Sequence, residues 1–285
     1  MMSRKLRRIT AEQIDRYALH LREQERAPAT IQKYVRSLTV LLNDLDGHPL
    51  SKPVLIAWKE ALAAAHAPVS VNSMLAAVNG FFSFMGWQDL TVRLMKIQRP
   101  LFCDEGRELT RAEYARLVRA AEQRENQRLS LVIQTICATG IRVSELRFIT
   151  AEAVKTGRAE IINKGKRRMV FLPHTLQKLL QTYLNAQKKA AGAVFTTRTG
   201  KPLDRSNIWR DMKRLCEYAN VEQTKVFPHN LRHLFARTYY AMEKDLSRLA
   251  DILGHSSVDT TRIYTVESGR THARQISRMG LVLTT

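Results

Sequence analysis

Six polar residues in the second half of the chain have the types needed to move a phosphoryl group onto a protein side chain: Arg142, Lys164, His229, Arg232, His255 and Tyr264. Two guanidinium groups can hold the anionic oxygens of a phosphodiester in bidentate fashion. Histidine and lysine can move protons or donate hydrogen bonds. A tyrosine hydroxyl can attack phosphorus and form a covalent intermediate. His229 and Arg232 are three apart and share one helix face, while His255 precedes Tyr264 by nine residues. Glu145 follows Arg142 by three and is placed to orient an arginine or a histidine. His233 lies four residues after His229, as a zinc pair would. No glutamate follows His229 and no third ligand is evident, so His233 reads as structural. The chain holds no Walker A pattern and no carboxylate cluster for two metal ions, so no cofactor is expected.

The contexts of these residues are Ala138-Thr139-Gly140-Ile141-Arg142-Val143-Ser144-Glu145-Leu146, Pro228-His229-Asn230-Leu231-Arg232-His233, Leu253-Gly254-His255 and Arg262-Ile263-Tyr264. Together they closely resemble the motifs of the tyrosine recombinase (phage integrase) family, in which Arg, Lys, His-x-x-Arg, His and Tyr occur in that order. The resemblance implies that Tyr264 is the nucleophile, that Arg142 and Arg232 clamp the scissile phosphate, and that His229 and His255 assist. It makes Lys164, on a mobile hairpin, the proton donor to the leaving 5′ oxygen. The family usually shows Gly-Lys-Gly there; this chain has Asn163-Lys164-Gly165, and Lys166 competes for the role.

The resemblance also implies a site-specific recombinase that works through a 3′-phosphotyrosyl intermediate without ATP. It implies double-stranded DNA as partner and a homotetramer on two duplexes. The tail 265–285, with apolar Met279-Gly280-Leu281-Val282-Leu283, would dock on a neighbouring subunit or pack on its own domain. Size suggests a Xer-type or simple phage or transposon enzyme, with no separate arm-binding domain. The departure at Asn163 favours a mobile element over a housekeeping role. Target site and accessory proteins stay open. The rival readings are a type IB topoisomerase and a non-catalytic DNA-binding regulator.

Charge points the same way. The 285 residues carry 46 Lys and Arg against 26 Asp and Glu, a net +20, which calls for a polyanionic partner. Residues 1–107 hold 15 basic and 10 acidic side chains, and residues 108–285 hold 31 and 16. Both halves are therefore basic, which fits DNA held between two lobes better than one basic tail on a neutral body. Lys33, Arg36, Lys166, Arg167, Arg168, Arg205 and Arg210 are the candidate DNA contacts. Cys103, Cys137 and Cys216 form neither a metal pattern nor a disulfide framework, and a reducing cytoplasm is the expected compartment. No apolar run approaches the ~20 residues that span a bilayer, so no membrane role is expected.

The elements that must position these groups are mainly helical. Apolar spacing predicts helices over 11–25, over a stretch capped by Thr30, over 53–65, and from near Ser70 to Gly86. This bundle resembles the SAM-like core-binding domain of the same family through Ala29-Thr30-Ile31 with Tyr34 and Leu38, and Ser70-Val71-Asn72 leading to Phe81-Phe82. The domain division reads as a core-binding domain at 1–98, a linker at 99–107 and a catalytic domain at 108–285. Thr110 and Glu113 form a capping box, and a second helix stops at Gly140. Two apolar stretches around Asn163–Arg168 predict a β-hairpin. Further helices are expected at 174–189, 204–218, 229–242, 246–253 and 257–266.

Overall fold

Prolines decide where two helices of the N-terminal part begin. A computed structural model of the chain describes residues 7–97, 105–163, 165–197, 199–264 and 276–279. It divides into two compact units, Met1–Arg99 and Pro100–Thr285. In the first, α1 (Ala11–Glu23) is opened by a Thr10–Gln13 capping box. α2 (Pro28–Leu45) begins two residues before the expected cap Thr30, with Ala27 in the capping position and no side-chain cap. α4 (Pro68–Phe84) likewise starts two residues before Ser70, after Ala67. The reason is common to both: proline needs no N–H partner in a first turn and its fixed φ suits that position, while it forces the preceding residue to be extended. Between them α3 (Lys52–Ala65) is capped by Ser51.

The core of this unit contains a cluster of aromatic rings. Tyr17 meets Phe81 edge-on with ring centroids 5.6 Å apart, and Phe81 meets Trp87 edge-on at 6.0 Å. Two asparagines one heptad apart on α4 then fix the chain as it leaves the bundle. Asn79 donates to the Val92 carbonyl and accepts from its N–H at 2.8 and 2.9 Å. Asn72 does the same for Met95 at 2.9 and 2.7 Å. Each amide side chain thus stands in for a strand partner and satisfies backbone groups that packing removes from water.

The second unit is built around a helix buried on nearly every side. α5 (Arg111–Gln123) carries the expected Thr110–Glu113 box. α6 (Gln127–Thr139) buries Leu129, Leu131, Val132, Ile133 and Ile136 and ends at Gly140, whose φ of +64° continues the chain in a conformation that a side chain disfavours. A side chain there would also collide with the ring of Phe235. After a 3₁₀ segment, Val143–Phe148, come α7 (Ala151–Thr156) and an antiparallel pair, β1 (Arg158–Asn163) and β2 (Lys166–Phe171), in the register Asn163 to Lys166 and Arg158 to Phe171. α8 (His174–Ala186), α9 (Arg205–Ala219), α10 (Pro228–Glu243) and α11 (Leu246–Leu253) complete the shell.

The expected helix over 257–266 is shorter. α12 (Val258–Thr261), capped by Ser257, passes into a 3₁₀ turn, Arg262–Tyr264. Cys137 packs against the core, and burial pushes its thiol up to about 12 despite Arg111. Lys164, Cys103, most of the expected linker and most of the tail lie outside the described residues. Among the described residues no helix is long and apolar enough to cross a membrane.

The asparagine brackets give a direct test. Asn79→Ala leaves both backbone groups of buried Val92 without their partner, a loss of about 1–3 kcal/mol. The urea midpoint followed by tryptophan fluorescence should fall, since Trp58 and Trp87 both report on this unit. An unchanged midpoint would mean that the bracket contributes nothing.

Candidate active site

Arg232 is almost fully buried, 1% exposed in the second turn of α10. Its Nη1 donates to the Gly140 carbonyl at 2.5 Å and its Nη2 to the Leu253 carbonyl at 2.8 Å. These carbonyls close α6 and α11, so the cation sits at the negative ends of two helix dipoles. Nη2 also reaches His255 Nε2 at 2.9 Å. Burial, followed by the charge of Arg142, lowers the guanidinium to about 10, while Tyr264 and Glu145 act in the opposite sense.

An arginine can only donate, which fixes the state of His255. Nε2 must accept, so the ring is neutral and its proton is on Nδ1, which donates to the buried Thr261 hydroxyl at 2.7 Å. Burial, then Arg232, Arg142 and Arg168, hold His255 at about 4. The Tyr264 ring lies parallel to it at 5.9 Å and is 3% exposed among Ala236, Leu249 and Leu253. His233 meets the Tyr264 ring edge-on at 4.6 Å and the His229 ring at the same distance. His229 itself is pushed down by burial and then by Arg232, Arg142 and Arg205. Four rings and one guanidinium from α10, the Leu253–His255 turn and the 3₁₀ turn after α12 thus form one continuous group.

Arg142 arrives from the other side, at the end of α6. It caps the following 3₁₀ segment, its N–H donating to Glu145 Oε2 at 2.8 Å and its Nη1 to Oε1 at 3.1 Å. Glu145 is 1% exposed. The hairpin supplies its other partners: Arg168 from β2 donates through Nη1 at 3.1 Å and Nη2 at 2.8 Å, and Asn163 from β1 through Nδ2 at 3.2 Å. Burial alone would raise this carboxyl; Arg168 and Arg142 more than reverse that and bring it to about 2. A cleft of about 640 Å³ lies over the group, lined by Arg142, Asn163, Lys166, Arg168 and His255 among others.

Five of the six sequence-derived site residues, Arg142, His229, Arg232, His255 and Tyr264, therefore lie in one connected region; Lys164 lies outside the described residues. Lys166 and Arg167 are exposed on β2, the latter paired with Glu160 at 3.4 Å. Arg205 and Arg210 are exposed on α9. In the first unit Lys33 and Arg36 are exposed and line a groove with Ser70 and Met74. Arg168 differs from its neighbours because its guanidinium points inward to Glu145. Strand alternation carries that signal: Val170 is core, so Arg168, two residues earlier, faces the same way. Thr261 and Asn163 belong to the site too, and nothing in their spacing marks them. Among the described residues no group of three His, Cys, Asp or Glu side chains comes together in a way that could hold a metal ion.

Residues 107–269 match the model of the phage integrase family, and residues 14–89 match that of the phage integrase N-terminal SAM-like domain. The tyrosine recombinase XerA of Pyrococcus furiosus is 25% identical over 282 residues, 96% of each chain. XerA of Thermococcus kodakarensis is 29% identical over 266 residues, 89% of this chain and 90% of that one. XerD of Staphylococcus saprophyticus is 36% identical over 143 residues, about half of each. Among solved structures, a lambda integrase tetramer bound to a Holliday junction superposes with a TM-score of 0.73 at 17% identity, covering 89% of this chain and 76% of that one. XerH bound to its difH substrate gives 0.69 at 19% identity, covering 94% and 84%.

The neutral histidines make stability depend on pH. His233 and His255 stand at about 4 in the folded chain against 6.5 for the free side chain. Below 6.5 the unfolded chain therefore binds more protons, and stability falls as pH drops towards 4. The thermal midpoint should decrease between pH 7 and pH 5, and His255→Gln, whose amide oxygen can still accept from Arg232, should show a smaller decrease. Equal decreases would exclude His255 as a source.

Proposed function

The chain belongs to the phage integrase family and is a site-specific tyrosine recombinase, and on that footing we propose that Tyr264 is the residue through which it cleaves and rejoins DNA. The Tyr264 oxygen bonds to the scissile phosphorus as the bond to the 5′ oxygen breaks. The products are a 3′-phosphotyrosyl link and a free 5′ hydroxyl. The reverse attack, by the 5′ hydroxyl of a partner strand, reseals the backbone with the number of phosphodiester bonds conserved.

The remaining roles rest on charge and protonation. Arg142 and Arg232 hold the non-bridging oxygens and oppose the charge that grows in the transition state. His229, kept neutral by its surroundings, accepts the tyrosine proton, directly or through the phosphate. His255 holds Arg232 in place by accepting from it. Lys164 gives a proton to the departing 5′ oxygen. The observation that carries the reading is the chain of contacts from Tyr264 to His255 to Arg232: it joins a nucleophile to an anion-binding group from a different helix.

The reading extends to partners. The substrate is duplex DNA carrying a specific site, engaged by the exposed basic side chains Lys33, Arg36, Lys166, Arg167, Arg205 and Arg210. The assembly is a homotetramer on two duplexes, linked by tails passed between subunits. Ile276 and Met279, both more than half exposed, support such docking. Residues 1–98 act as the core-binding domain, 99–107 as the linker and 108–285 as the catalytic domain, in the cytoplasm with the DNA.

Covalent capture tests the chemistry. DNA flanking the gene, incubated with wild-type protein and with Tyr264→Phe, should give a denaturant-resistant, protease-sensitive adduct with the wild type alone. The variant should bind the same DNA equally well. Cleavage by the variant would sink the assignment. Deleting residues 270–285 should weaken assembly on paired sites more than binding to a single site; equal losses would argue against tail exchange.

A further inference from the structure

Arg168 carries an inference that deepens this reading and rests on it. Its place beside Lys166 and Arg167 suggests a third exposed phosphate contact, but its guanidinium lies against Glu145 with the side chain 13% exposed. We propose that Arg168 is a positioning residue: by neutralising Glu145, it reserves the charge of Arg142 for the scissile phosphate.

The arrangement divides two cations unequally over one carboxylate. Arg168 takes both oxygens of Glu145 in the forked geometry. Arg142 gives one Nη to the same carboxylate and remains 35% exposed, in the wall of the cleft. Asn163 supplies an uncharged donor to Oε1. One negative and two positive charges leave the cluster with a net positive charge, and the more exposed guanidinium is the one free to meet an anion. Were Arg168 absent, a buried carboxylate would face Arg142 as its only cation. An arginine neutralised in that way has little field left for a phosphate and is drawn inward, away from the cleft.

The fold makes room for Arg168 at a defined cost. Gly254 has a φ of +65°, and a Cβ on it would lie 2.8 Å from both Cδ and Nη1 of Arg168. The glycine that precedes His255 is thus the floor on which the Arg168 side chain rests. A side chain meant for the DNA surface would need no such floor.

The experiment measures adduct formation in a single turnover, on the duplex recovered by covalent capture, alongside the salt dependence of binding. Arg168→Met should slow adduct formation about 10- to 100-fold, with the salt slope of binding unchanged. Arg168→Lys, which keeps the charge and loses the fork, should be faster than Arg168→Met. Arg168→Met combined with Glu145→Gln should recover most of the lost rate, because the uncompensated carboxylate has gone. A salt slope shallower by about one would instead mark a direct phosphate contact and overturn the proposal; so would a double variant no faster than Arg168→Met. Should Arg168→Met not fold, the double variant, which strands no buried carboxylate, decides: it must cleave with an unchanged slope, and an inactive but folded double variant overturns the inference. Arg142→Ala in parallel separates the two levels. Wild-type cleavage by Arg142→Ala would remove the phosphate-holding reading itself. Loss of cleavage there with undiminished cleavage by Arg168→Met would remove only the positioning role of Arg168.

Discussion

A guanidinium buried without a carboxylate of its own is the constraint around which the second unit is organised. Arg232 is solvated by the carbonyls that end α6 and α11 and by a histidine. Desolvating an arginine is costly unless its donors are met, so the ends of these two helices and the turn that bears His255 must converge on one point. Once they do, other positions are determined. Arg142 comes a few residues after α6, and Tyr264 is reached from His255 through a single short helix. The glycine at 140 serves the same end, turning the chain while leaving its carbonyl for Arg232 and its Cα face for Phe235.

The electrostatics of the region are set by arginine rather than by histidine. Burial and the surrounding guanidinium groups suppress protonation of His229, His233 and His255, which makes them acceptors at neutral pH. Glu145 is driven the other way and stays ionised although it is almost fully enclosed. The result is a pocket with fixed positive charge and neutral proton carriers. A phosphodiester entering it meets donors already in place, which is the condition under which electrostatic stabilisation requires little reorganisation.

Much of this is legible in the residues. The order and spacing of Arg142, His229, Arg232, His255 and Tyr264 indicate a shared site, and apolar periodicity with an Asn-Lys-Gly turn indicates helices and one hairpin. Helix starts are less legible because prolines at 28 and 68 outrank the hydroxyl caps two residues later. The direction of Arg168 is hidden for a different reason. A run of three basic residues reads as a solvated surface, whereas a strand sends alternate side chains to opposite faces whatever their charge. The asparagine brackets at 72 and 79, and the acceptance of the His255 proton by Thr261, depend on residues distant in sequence or on ring orientation, and neither leaves a local pattern.

The contact between Gly254 and Arg168 also has an evolutionary meaning. Three positions far apart in the chain, 145, 168 and 254, share one small volume and one charge count. A methyl group at 254 displaces the arginine; a shorter residue at 168 strands the glutamate; a neutral residue at 145 leaves two guanidinium groups facing each other. Each single step is penalised until the others are made. These positions are therefore expected to change together or not at all as relatives diverge, so that a substitution at one is a record of what stands at the other two.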